Sequence, residues 1–91
     1  MLPILWRAEA QADLATILGY IAERNPRAAL DLYNDIDWAV SQLPAHPYMY
    51  RPGRVPGTRE LIVRPNYLIV YRVGATAIDI VSVMHARQHY P

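Results

Sequence analysis

The stretch Arg24-Asn25-Pro26-Arg27-Ala28-Ala29 divides two apolar stripes of helical period, and its reading decides the fold. Asn25 has the side chain of a helix cap, and Pro26 suits a first helical position, where its missing N–H costs nothing. On the N-terminal side, Ala10, Leu14, Ile17 and Ile21 recur at spacings of 4, 3 and 4, with Leu18 on the same stripe and Glu9, Asp13, Glu23 and Arg24 at other positions. On the C-terminal side, Ala29, Tyr33, Ile36, Val40 and Leu43 are spaced 4, 3, 4 and 3. Two such seams joined by a tight turn predict an antiparallel helical hairpin, ended by Pro44 and Pro47. Trp38 lies off the seam and is left either facing a sheet or exposed.

Upstream, residues 2–6 read as a short strand, with Pro3 confined to its end or to a sheet edge. Downstream, three strand-like runs follow: residues 59–64, 67–73 and 78–84. Arg64-Pro65-Asn66-Tyr67 suits a turn with proline at its second position, and Gly74-Ala75-Thr76 makes the next turn. Arg72 and Asp79 flank that last turn and are expected to pair across strands. The order β-α-α-β-β-β describes an α+β fold in which the helical hairpin covers one face of a small, mainly antiparallel sheet. A chain of 91 residues holds one such core, so residues 1–91 are read as a single domain.

Composition narrows the function classes. With no cysteine, disulfides and thiolate metal sites are excluded. No His, Asp or Glu grouping has metal-ligand spacing, and Gly53-Arg54-Val55-Pro56-Gly57 lacks the strand-to-helix setting of a phosphate loop, so neither a metal nor a cofactor is expected. The apolar start reaches Arg7 and Glu9 too early for a signal peptide, and no run approaches the roughly 18 residues of a membrane span; a cytoplasmic location is the expectation. At 53% hydrophobic residues the chain can bury a small core, and a partner covering the remaining apolar surface would stabilise it.

The net charge of +1 conceals a polarity. Residues 1–46 carry three arginines against six acids, a net of −3, whereas residues 47–91 carry six arginines against Glu60 and Asp79, a net of +4. Every basic side chain is arginine. Arg51, Arg54 and Arg59 lie within a segment broken by Pro47, Pro52, Gly53, Pro56 and Gly57, which predicts a long irregular connection over residues 44–58. Guanidinium groups gathered there suit anionic or carboxylate-bearing partners. Tyr48 and Tyr50 add aromatic groups, a composition fit for base stacking or for contact at a protein interface.

In this order the motifs resemble the RelE/ParE superfamily of toxins from type II toxin–antitoxin modules, and the resemblance covers nearly the whole chain. It rests on Asp13-Leu14, on Asn25-Pro26-Arg27-Ala28-Ala29, on residues 53–61 from Gly53-Arg54 to Glu60-Leu61, on residues 66–73 from Asn66-Tyr67 to Arg72-Val73, and on His85-Ala86-Arg87. It implies a growth inhibitor neutralised by a cognate antitoxin, in a complex of higher oligomeric order, of the kind associated with plasmid stabilisation. RelE-type members act on the ribosome and cut mRNA; ParE-type members bind DNA gyrase and need no catalytic residue. The long helical hairpin and its Asn-Pro-x-Ala-Ala turn are closer to ParE-type toxins. Under that reading Arg54, Arg59, His85 and Arg87 are target-binding. The alternative is a RelE-like ribosome-dependent mRNA endonuclease using His85, Arg87, Arg59 and Tyr90. Against it, the resemblance places Leu68 where related nucleases carry a third-strand arginine, and the chain has no lysine. His85 also has a plain structural role open to it, closing the last strand with a hydrogen bond.

Overall fold

The computed structural model describes residues 1–87. The strand β1 (Ile4–Trp6) is followed by helices α1 (Ala8–Ala22) and α2 (Pro26–Ser41), then by β2 (Arg51–Pro52), β3 (Arg59–Val63), β4 (Tyr67–Val73) and β5 (Ile78–His85). The five strands form one sheet in the order β1-β5-β4-β3-β2, parallel between β1 and β5 and antiparallel elsewhere. The expected α+β architecture is present. The two-residue β2 is additional, inside the connection read as irregular.

Local chemistry explains the hairpin. Asn25 Oδ1 accepts a hydrogen bond from the Ala28 N–H at 3.1 Å, and Pro26 occupies the first helical position. The second seam differs from its expected form by one residue. Leu32 is 1% exposed and Tyr33 44%, so the buried stripe of α2 runs Ala29, Leu32, Ile36, Val40. Both 29, 33 and 29, 32 fit a helical period, and the sequence spacing chose the wrong neighbour. Trp38 proves to be 68% exposed.

The core joins Ala10 of α1, the α2 stripe and Leu43 to Leu61, Val63, Ile69, Tyr71, Ile78, Ile80 and Val83 on the sheet. Side chains alternate across a strand. With Ile69 and Tyr71 facing the helices, Leu68, Val70 and Arg72 of β4 take the opposite face, together with their partners Ile62 and Glu60 on β3. The segment between β2 and β3 lies against this far face. Its Arg54 N–H reaches Glu60 Oε2 at 3.2 Å, and a Cβ on Gly57, whose φ is +83°, would meet Nη1 of Arg72 at 3.1 Å. Glycine therefore serves there both for its backbone and for its missing side chain.

One irregularity is locked by α1. Between Tyr71↔Ile80 and Val70↔Ser82 the ladder skips Val81, a β-bulge. Asp13 on α1 accepts from Ser82 Oγ and from the Val83 N–H, both at 3.0 Å. A bulge disrupts ladder pairing, and this carboxylate supplies the acceptor. The helix is thereby tied to the strand that carries His85.

Candidate functional site

The arginine-bearing connection is built around two polar posts. The first is Glu60, only 3% exposed in the middle of an apolar strand pattern. Its Oε1 pairs with Arg51 Nη2 at 3.0 Å and its Oε2 takes the Arg54 N–H, so one buried carboxylate fixes both β2 and the segment after it. The second is Arg59, whose Nη1 donates to the carbonyls of Tyr50 at 2.7 Å and Tyr48 at 3.2 Å. Its guanidinium carbon also lies 5.1 Å from the centre of the Tyr48 ring, a cation–π geometry. Among the described residues no carboxylate pairs with Arg59. Tyr71 adds a third tie, its hydroxyl donating to the Pro47 carbonyl at 2.8 Å. Burial pushes the Tyr71 phenol up to about 12, opposed by nearby Arg59 and reinforced by Tyr50.

The candidate residues named from sequence fall into two groups. Arg54 and Arg59 belong to the loop end of the sheet, Arg59 standing opposite Tyr71. His85 stands opposite Tyr67, at the other end of β4. The four-residue offset between Tyr71 and Tyr67 corresponds to about 13 Å along the strand. At that second end, the Tyr67 and His85 rings meet edge to face at 5.4 Å, and His85 Nδ1 accepts from the Arg87 N–H at 3.2 Å. Arg87 is exposed there. Tyr90, the remaining candidate, lies outside the described residues.

Two further arginines find their places through tertiary contacts, and one of them departs from expectation. Arg72 and Asp79 are register partners, but the Asp79 carboxylate pairs with Arg7 at 3.2 Å. The strand end β1 delivers Arg7 beside β5, a contact invisible from the turn alone. Arg64 holds a left-handed backbone, φ 56°, and its Nη2 reaches Asp35 of α2 at 2.6 Å.

The far face of the two central strands is apolar over Leu68, Val70 and Ile62. Leu68 and Val70 are each 3% exposed, and Ile62 beside them is 48% exposed. Of the arginines beside that surface, Arg51 pairs with Glu60, and Nη1 of Arg72 lies 3.1 Å from where a Cβ on Gly57 would stand.

A scan of family models matches residues 4–90 to the ParE toxin of type II toxin–antitoxin systems, parDE. The chain belongs to the ParE toxin family. The match covers both helices and all five strands of the sheet. Two relatives extend the same picture. This ParE-family chain is 38% identical over 97% of its length, and 92% of the other, to the candidate toxin Y4kP of Sinorhizobium fredii. It is 34% identical over 94% of its length, and 97% of the other, to toxin RelE2 of Caulobacter vibrioides. Among solved structures, the chromosomal ParDE TA system from P. aeruginosa superposes with a TM-score of 0.83 at 30% identity, covering 93% of this chain and 96% of the other.

Sequence reasoning missed the carboxylates that organise this ParE fold. Asp13 was visible as part of a motif, but its partner is a bulge 70 residues away. Glu60 carried a usable signal, an acid inside an apolar run just after an arginine cluster. Tyr71 carried none, because nothing distinguishes a buried tyrosine that ties down a loop from one that merely fills a core.

Proposed function

We propose that this chain is the toxin of a type II module, neutralised by a cognate antitoxin, and that it arrests growth by binding DNA gyrase rather than by cutting RNA. One observation carries the choice. A phosphodiester cleavage needs a base, an acid and cations converging on one phosphate, because charge develops there in the transition state. Here Arg59 and His85 stand opposite Tyr71 and Tyr67, two positions apart on one face of β4, and the residue between those two on that face is the buried, apolar Ile69. That arrangement supports a toxin acting by surface contact. The similarity at 30% identity to a ParDE system points the same way.

The antitoxin reading has its own support. A cleft of about 350 Å³ between α2 and β3 is lined by Trp38, Ala39, Tyr50, Leu61 and Ile62, with Asp35 and Arg64 at its rim. Beyond the two residues paired with β2, the edge of β3 from Leu61 to Val63 has no strand partner on that side among the described residues. Such an edge beside an apolar cleft suits an added strand or a docked helix.

Pulse labelling of DNA and protein synthesis within minutes of induction tests the choice of target. An early fall in DNA synthesis, with purified chain inhibiting supercoiling by gyrase, is the expected result. An immediate fall in protein synthesis would favour the second reading, a ribosome-dependent mRNA endonuclease using His85, Arg87, Arg59 and Tyr90. That reading draws on the 34% identity to a toxin named RelE2 and on the hydrogen bond between the Arg87 N–H and His85. His85→Ala would then abolish message cleavage.

A further inference from the structure

We propose that the tip formed by Tyr48 and Met49 is the toxin's contact with its target, and that it docks on an acidic protein surface with an apolar recess. The inference rests on the gyrase-binding reading above and names the part of the chain that would carry it.

Tyr48 is 66% and Met49 61% exposed, adjacent large side chains held outward at a chain reversal. A tip of this size would ordinarily fold down onto the domain to remove its apolar area from water. Here the backbone on both sides is pinned so that it does not. The Pro47 carbonyl is held by the Tyr71 hydroxyl, the Tyr48 and Tyr50 carbonyls by Arg59, and the Met49 N–H by the His46 carbonyl at 3.3 Å. Arg59 is the telling member. A half-buried guanidinium satisfied by two carbonyls and a ring face, with no carboxylate pairing among the described residues, is a costly way to stabilise a loop. Local choices that fold poorly but hold a shape mark sites kept for binding. Preorganisation of this kind removes the ordering cost that a floppy tip would incur on binding.

Charge identifies the partner. Residues 44–59 contain Arg51, Arg54 and Arg59 and no acidic residue; the adjacent Glu60 is buried and pairs with Arg51, which leaves the segment with a positive excess. A protein surface bearing carboxylates around an apolar recess complements that pattern. Tyrosine, methionine and arginine are residue types enriched at such interfaces. Nucleic acid would use the same arginines, but it calls for ring faces laid open to bases, and the Tyr48 ring already has Arg59 over it.

The test combines one double variant with one crosslink. Tyr48→Ala/Met49→Ala is expected to fold and to bind antitoxin as the unmodified chain does, yet to lose growth arrest and bind gyrase on the order of thirtyfold more weakly. Tyr20→Ala, an equally exposed tyrosine on α1, is the control and should change neither. A photo-crosslinking residue at position 49 should join to gyrase in arrested cells. A double variant that folds and remains fully toxic overturns the inference, whatever the target. Crosslinks to RNA, or to nothing while toxicity persists, overturn it too. If unmodified chain neither binds gyrase nor crosslinks to it, but the double variant is non-toxic and position 49 joins to another acidic protein that the variant no longer binds, the tip stands and the gyrase reading falls.

Discussion

The helical hairpin of residues 8–43 and the connection of residues 44–59 are held by different forces. In the hairpin, Ala29, Leu32, Ile36 and Val40 repeat at three- and four-residue intervals and vanish from water together. In the connection nothing repeats; its shape rests on single polar contacts from side chains that belong to β3 and β4, namely Glu60, Arg59 and Tyr71. A periodic apolar seam is redundant, since each residue contributes a share of the burial. A polar post is not, because a single side chain holds several groups of the connection at once. Damage to the first should lower the stability of the whole domain, whereas damage to the second should loosen one region.

The largest effect is therefore expected at Leu32. Leu32→Ala removes a side chain that is 1% exposed and should cost about 2–5 kcal/mol of global stability. Tyr33→Ala, at the neighbouring position 44% exposed, should cost well under that. Chemical denaturation of the two variants measures the difference directly. Equal losses would mean that the α2 seam runs through Tyr33 after all.

Glu60 should come next, and its effect should be local as well as global. Glu60→Ala strips the acceptors from the Arg54 N–H and from Arg51, at a cost of about 1–3 kcal/mol for groups left without a partner. Part of that cost is relieved because the Arg51 side chain is 56% exposed and can turn to water. The sharper readout is limited trypsin digestion, where cleavage after Arg54 should accelerate under conditions in which the hairpin stays intact. Unchanged cleavage there, with lowered stability overall, would place Glu60 with the core rather than with the loop.

This contrast also explains what the sequence disclosed. The helical hairpin, the three longer strands and the β-α-α-β-β-β order were legible because each depends on a spacing of two to four residues or on a neighbouring turn. The Asn25 cap was legible for the same reason: donor and acceptor are three residues apart. The arginines could be counted but not assigned, because their partners are set by which strands lie together. Arg7 meets Asp79 only once β1 pairs with β5, and Arg64 meets Asp35 only once α2 lies beside the end of β3. Asp13 illustrates the limit best. A polar residue on a helix at the edge of an apolar stripe looks like solvated surface until a bulge in β5 brings two donors to it. Of the candidate site, the composition of the loop was readable and its division from His85 was not, since that division is a matter of sheet register.

A third comparison separates Tyr71 from the rest of the core. It is 0% exposed and lies in the cluster, yet its hydroxyl serves the loop. Tyr71→Phe keeps the ring and should cost about 1 kcal/mol, with faster amide exchange around residues 47–50. Alkaline titration adds an independent check. Burial makes the phenol harder to ionise in the folded chain, at about 12, than in an unfolded one, where it titrates at 10.0. The folded state thus binds this proton more tightly. The resulting stabilisation is complete below about pH 10 and is lost as pH rises toward 12. Stability should fall across that window in the unmodified chain and fall less in Tyr71→Phe. Parallel curves would mean that the hydroxyl sits in water.

The smallest effect should come from the ion pair that joins the hairpin to the end of β3. Asp35 and Arg64 meet at 2.6 Å, but their side chains are 49% and 43% exposed, so solvent screens most of the attraction. Asp35→Asn should therefore cost no more than about 1 kcal/mol, and added salt should erase much of that. The pair is more informative about backbone than about charge. Arg64 occupies the left-handed region at φ 56°, which costs a non-glycine residue about 1–2 kcal/mol. Arg64→Gly removes that penalty together with the ion pair, so its net effect should be near zero or stabilising. A clear loss of stability in Arg64→Gly, with none in Asp35→Asn, would show that the arginine stem packs against α2 and binds the hairpin to the sheet by apolar contact instead.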